Sequence, residues 1–243
     1  MIKLLHCYDD LLNLYGDYAN VSVLARRLRE EGEDVKIEKF SIGSVVDFSD
    51  KSFIYFGAGT EKNIITALED VRRVRRELSD YIACGGTLLA TGNSVALFGD
   101  RINCLDGVSR EGLGFIRAEF TEIEKRQYTE LILKTPIIEK PVVATVNTSY
   151  SISFNDETLF FIEYDSNKLL EEREGLRKGN AFFTRLSGPV LVRNPELLEF
   201  FAHSVSGRRL SEPHQDWNYS AERGYEHMLN TLTKAREKEE DEQ

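Results

Sequence analysis

Apolar positions along the first hundred residues change period several times, and each change marks an element. Ile2 to Leu5 is a short strand-like run, followed by a turn-rich loop from Tyr8 to Asp17. From Val21 to Glu31, Val21, Leu24, Ala25 and Leu28 recur at helical spacing with arginines and glutamates between them, which predicts a surface helix. Val35 to Glu38 alternates as a second strand, and Ser52 to Phe56 is a third that ends in Gly57-Ala58-Gly59. Ile64, Leu68, Val71, Val74, Leu78 and Ile82 then keep a spacing of three and four, predicting one helix from Glu61 to about Ala83. Arg72, Arg73, Arg75 and Arg76 crowd its middle. They read as a solvated face with acidic partners rather than as a docking patch.

Gly85 to Gly99, GGTLLATGNSVALFG, is the stretch around which the chain is organised. Thr87 to Ala90 reads as a buried strand, Gly92-Asn93-Ser94 as a sharp turn, and Val95 to Phe98 as the start of a helix. Such a turn is where α/β enzymes lift a nucleophile out at the carboxyl edge of a sheet. Here its apex is glycine.

Beyond the Gly107 to Gly114 loop the pattern becomes β-rich. Runs at Phe115–Phe120, Glu130–Leu133, Val142–Val146, Leu159–Tyr164 and Ala181–Leu186 are β-branched or aromatic with turn signals between them. Pro195 opens a helix from Glu196 to Ser204, with Asn194 as its cap. The expectation is an α/β fold with a mostly parallel sheet, helices on both faces, and antiparallel strand additions in the second half. One domain spans residues 1–205. Residues 206–243 form a polar extension, partly helical and frayed from Lys234 onward, anchored by Trp217 near Tyr219 and Tyr225.

Composition narrows the function classes. The 243 residues carry 31 Lys and Arg against 41 Asp and Glu, a net charge of -10, so a nucleic-acid partner is not expected. No run approaches the roughly 18 apolar residues of a membrane span. Asp9 and Asp10 come too early for a secretory segment, and a cytoplasmic protein is expected. Cys7, Cys84 and Cys104 have no metal-ligand spacing, so neither a metal nor a cofactor is expected, and the thiols read as buried small hydrophobes.

Several stretches, in order, resemble the cobyric-acid-synthase-like branch of class I glutamine amidotransferases, most closely the glutaminase subunits of lipid II isoglutaminyl synthases. They are the loop Tyr8 to Asn20, the turn Phe56-Gly-Ala-Gly-Thr-Glu61, the segments Arg110–Gly114 and Lys125-Arg126, and Gly188 to Pro195. The resemblance implies a class I glutamine amidotransferase-like, flavodoxin-like sheet. It also implies glutamine hydrolysis by an elbow cysteine with a histidine partner, and transfer of ammonia to a Mur-ligase-type synthetase in amidation of the peptidoglycan precursor. The position of the family's cysteine is Gly92, and that of its histidine is Ser187. Without a thiolate and an imidazole the route has no first step. Arg126 stands where the family carries the arginine that holds glutamine. Gly57, Ala58, Gly59, Asn93 and Ser94 complete the expected ligand-binding set, for glutamine or another small carboxylate.

Cys84 should lie at the far end of the central strand from the elbow. Ser94 reads as a capping hydroxyl, and His6, at the end of the first strand, as a core or surface residue. The favoured expectation is therefore a subunit that keeps the scaffold without hydrolysing glutamine. The alternative is an enzyme of altered chemistry drawing on Thr91, Asn93, Ser94, Arg126 and Ser187.

Overall fold

The computed structural model describes residues 1–211, 213 and 215–242, with the side chains of 215–218 outside that description. His214 and the Trp217 side chain, the proposed anchor of the tail, thus lie outside the described residues.

Five strands form the parallel half of one sheet, in the order β2 (Val35–Phe40), β1 (Ile2–Cys7), β3 (Phe53–Phe56), β4 (Thr87–Thr91) and β11 (Ala181–Thr184). The central strands read as unbroken apolar runs because both of their faces are covered. On one face Leu5, Cys7, Ile54, Phe56, Leu88 and Ala90 pack under α2 (Glu61–Val71) and α3 (Arg75–Ala83). On the other, Leu4, Phe53, Tyr55 and Leu89 pack under α1 (Tyr18–Glu30) and α5 (Pro195–Ser206). The sheet continues antiparallel through β10 (Arg173–Lys178), β9 (Thr158–Asp165), β7 (Ala118–Lys134), β8 (Val142–Phe154) and β12 (Leu186–Ser187). A hairpin of β5 (Arg101–Asn103) and β6 (Ser109–Glu111) runs along β7, where the sequence suggested only a loop.

Four elements depart from expectation, each for a local reason. The long helix after Thr60 is broken by a 3-10 turn at Arg72–Val74. There Arg72 reaches the carbonyl of Glu111 at the end of β6, and Arg73 and Arg75 reach the loop carbonyls of Ser44 and Leu113, while Arg76 is 91% exposed at its side chain. The turn after β4 winds into a 3-10 helix, Gly92–Phe98, rather than an α-helix. Ser94 Oγ donates to the carbonyls of Thr91 (2.8 Å) and Phe56 (3.1 Å), and Gly99 abuts Ala118 and Phe120 so closely that a Cβ there would clash.

Asn194 does not cap α5 with its side chain. Its amide instead bonds both backbone groups of Val143 and the carbonyl of Val190, tying the short α4 (Val190–Arg193) to β8. Finally, the polar tail forms α6, Gln215–Asp241, a helix that continues well past the expected onset of fraying at Lys234. Tyr225 and Leu232 are buried with Ile132, Val143 and Tyr164 of the antiparallel sheet, and Tyr225 Oη donates to the Pro141 carbonyl at 2.8 Å. Tyr219 is exposed.

Candidate functional site at the elbow

The parallel register places Gly92 where the expected nucleophile elbow should be, one residue past Thr91 at the carboxyl end of β4. Its φ of +61° is the left-handed conformation of a strand-to-helix corner. A Cβ built on Gly92 would lie 3.7 Å from Ser187 Oγ, so the two positions that resemble the family's cysteine and histidine still face each other. That same Cβ would lie 2.6 Å from the Ala58 Cβ and 3.2 Å from its Cα. The Ala58 methyl thus sits against the apex of the elbow, where a nucleophile's first carbon belongs. The two positions share one volume.

The glycine turn is packed from outside by the first loop. A Cβ on Gly57 would strike the Leu12 carbonyl at 2.4 Å, and one on Gly59 the Leu12 side chain at 2.5 Å. Leu14 N donates to the Ala58 carbonyl (2.9 Å), while the Ala58 N–H donates to Asp17 Oδ2. That amide is one the resemblance would assign to an oxyanion hole, and here it is held by a carboxylate of the chain itself. Asp17 is fully buried and also takes the Thr91 hydroxyl at 3.2 Å. Thr91 meets Tyr55 Oη at 2.7 Å, and Asn20 donates to that same oxygen at 2.8 Å. Burial holds the Asp17 carboxyl up at about 7, against the opposing pull of these donors.

Arg126 projects from the outer part of β7, beside a register shift between Glu122 and Gln127. Its side chain is 34% exposed, and its guanidinium forms an ion pair with Glu61, the first residue of α2. Ser149 Oγ bonds the same Glu61 oxygen, Asn93 Nδ2 approaches it at 3.4 Å, and Tyr15 Oη accepts from Arg126 at 3.2 Å. Arg126, Asn93 and the glycine turn are therefore brought together as expected, but around a carboxylate that the chain supplies. Thr148 donates to Asn93 Oδ1 at 3.1 Å and completes the arrangement.

Ser94 and Ser187 are at the turn without a proton acceptor of catalytic type. The Ser94 hydroxyl serves two backbone carbonyls, and Ser187 Oγ donates to the Arg185 carbonyl at 3.2 Å while accepting from Asn147 N. Around the elbow, Thr91 and Ser149 do touch carboxylates, and they are 0% and 6% exposed. Cys84 precedes β4, at the opposite end from the elbow, beside a cavity of about 520 Å³ that includes Phe48, Lys51 and Tyr81. Cys7 is buried as expected and burial raises its thiol pKa, whereas Cys84 is exposed. His6 is buried against the Tyr55 ring, 5.3 Å between centroids, and burial lowers its pKa to about 4. Among the described residues no group of three His, Cys, Asp or Glu side chains could hold a metal ion, and no helix is long and apolar enough to cross a membrane.

Glu61, Ser149, Thr148 and Tyr15 were not in the expected ligand-binding set. Glu61 and Tyr15 lie inside the stretches that carry the family resemblance, so their place in the sequence pointed toward the site. Ser149 and Thr148 had no such signal, since only the pairing of β7 with β8 delivers them.

No protein-family model matches the chain. It is 22% identical over 209 residues, 86% of each chain, to the lipid II isoglutaminyl synthase (glutamine-hydrolyzing) subunit GatD of Staphylococcus aureus strain N315. To the subunit of the same name from Streptococcus pneumoniae it is 23% identical over 201 residues, covering 81% of this chain and 77% of that one. In three dimensions it matches PurLQS from Thermotoga maritima with a TM-score of 0.54 at 13% identity, covering 85% of this chain and 96% of that one. It matches a crystal structure of a glutamine amidotransferase with a TM-score of 0.53 at 17% identity, covering 83% and 98% respectively. The chain therefore has the α/β fold of glutamine amidotransferases and is similar in sequence to GatD subunits along most of their length.

Proposed function

We propose that this chain is an amidotransferase-fold subunit that does not hydrolyse glutamine and that pairs with a Mur-ligase-type synthetase acting on a peptidoglycan precursor. The observation that carries this reading is the elbow itself: glycine at its apex, with the Ala58 methyl 2.6 Å from where a side chain would begin. Similarity to GatD over 86% of both chains supports the class of partner. The Glu61–Arg126 pair supports a ligand place filled by the chain's own carboxylate, so that a free amino acid must displace Glu61 to reach Arg126. The alternative of a rebuilt nucleophile gains little, since the Ser94 and Ser187 hydroxyls donate to backbone carbonyls rather than to a base, and Ser94, Ser187, Thr91 and Ser149 are all buried.

The test is reconstitution with a Mur-ligase-type synthetase and lipid II. The expected outcome is a complex whose amidation runs on ammonium salts and not on glutamine. Glutamine-driven amidation by the pair would defeat the pseudo-glutaminase reading, and failure to co-purify would defeat the partner.

A further inference from the structure

A second recognition site can be built from side chains that take no part in the elbow. Arg185 directly follows Thr184, the β11 residue paired with Thr91, so it stands at the carboxyl edge one strand away from Gly92. It is 6% exposed. Its Nε meets Glu174 Oε1 at 3.4 Å, its backbone N–H donates to that oxygen at 2.9 Å, and Thr184 Oγ1 donates to Glu174 Oε2 at 2.5 Å. Glu174, wholly buried, is thus taken up in holding one side of the guanidinium. No described residue accepts from the two terminal nitrogens. A guanidinium offers five N–H donors in a planar fork, and the part that Glu174 does not hold is turned to the adjoining cavity, where a ligand's acceptor can meet it.

Arg185 lines a cavity of about 200 Å³ with Gln127, Ser151 and Arg173 as its other polar walls and Phe154 and Leu170 as apolar ones. Arg173 sits at the exposed mouth, its guanidinium 5.4 Å from the centre of the Phe154 ring. Ser151 Oγ donates to the Thr121 carbonyl, and Glu171 is the one carboxylate of the lining. The volume is below the usual range for drug-sized ligands and suits a molecule about the size of an amino acid.

We propose that this cavity binds a small carboxylate with a short aliphatic portion. The open side of the Arg185 fork takes the carboxylate in a bidentate pair, Gln127 adds a donor, Arg173 covers the mouth, and Phe154 with Leu170 receives the carbon chain. The assignment does not depend on whether the elbow hydrolyses glutamine, because none of these side chains belongs to it.

The experiment is a titration of isotope-labelled full-length protein with glutarate, and separately with inorganic phosphate, followed by amide chemical shifts. Saturable shifts at Gln127, Ser151 and Arg185 with glutarate are expected. Arg185→Met should raise the glutarate Kd by about tenfold or more, the loss that goes with a charge-assisted bidentate pair. Because that variant leaves Glu174 buried without its partner, Arg173→Ala, at an exposed position, serves as a second variant and should also weaken binding. No saturable response through the millimolar range overturns the proposal. So do shifts centred on Arg126, binding of phosphate but not glutarate, or a Kd unchanged in both variants.

Discussion

Gly92 and Ala58 act as one steric unit. Putting a side chain back at Gly92 alone demands a positive φ, which costs about 1–2 kcal/mol for a non-glycine residue, together with a 2.6 Å overlap that backbone or methyl must relieve. Gly92→Cys should therefore destabilise the protein by about 2 kcal/mol or more. For a chain of this size that is a fall of roughly 4–8 °C in Tm, read by thermal denaturation. Adding Ala58→Gly removes the overlap and should recover part of the loss, although the same glycine in the parent background should only destabilise. A Gly92→Cys variant as stable as the parent would show that the Ala58 methyl does not block the apex. The glycine and the alanine at these two positions are legible in the sequence. That one fills the space left by the other is not, because the contact joins residues 34 positions apart through the neighbouring strands β3 and β4. The same limit hid the pairing of Glu61 with Arg126, whose separation is 65 residues and whose approach depends on where β7 projects.

At the level of elements, the helices and strands whose apolar period runs unbroken were the readable ones: β1 to β4, α1 and the start of α5 all stand where the pattern placed them. The outer half of β7 was not readable. Thr121 to Tyr128 is polar because this stretch of the strand has no fully buried position, so one 17-residue strand looked like two short ones. The full length of α6 was underestimated for a related reason. Its charge is high, yet Tyr225, Met228, Leu229, Leu232 and Ala235 fall at helical spacing and form one apolar stripe against β7 and β8. That stripe makes a testable demand. Tyr225→Ala removes a buried ring and its hydrogen bond to Pro141, and should cost about 3 kcal/mol or more in urea-induced unfolding. A loss below about 0.5 kcal/mol, the size of an ordinary surface substitution, would mean that α6 rests on the sheet without stabilising it.

On the scale of the whole molecule, two buried groups near the carboxyl edge set opposing pH dependences. Asp17 has an ordinary value of 3.8 and is held at about 7 by burial, so the folded chain keeps a proton that the unfolded chain gives up. Its contribution is fully present below about pH 4 and is lost as pH rises through 7. His6 has an ordinary value of 6.5 and is lowered to about 4, so its contribution is present above 6.5 and is lost as pH falls through 4. Between pH 4 and 6.5 the two slopes cancel in part. The stability difference between parent and Asp17→Asn should therefore shrink or reverse by up to about 4 kcal/mol from pH 4 to 7. That between parent and His6→Phe should move the other way as pH rises from 4 to 6.5. Urea midpoints across this range measure both, and a flat difference curve for Asp17→Asn would mean that its carboxyl titrates in the fold as it does in water.

The account as a whole turns on whether a corner without a side chain can still open a carboxamide. The most direct measurement is release of glutamate from glutamine by the purified full-length protein, compared with buffer and followed over a series of protein concentrations. The account predicts a rate indistinguishable from buffer at every concentration. Glutamate released in proportion to protein, and retained after further purification, would contradict it.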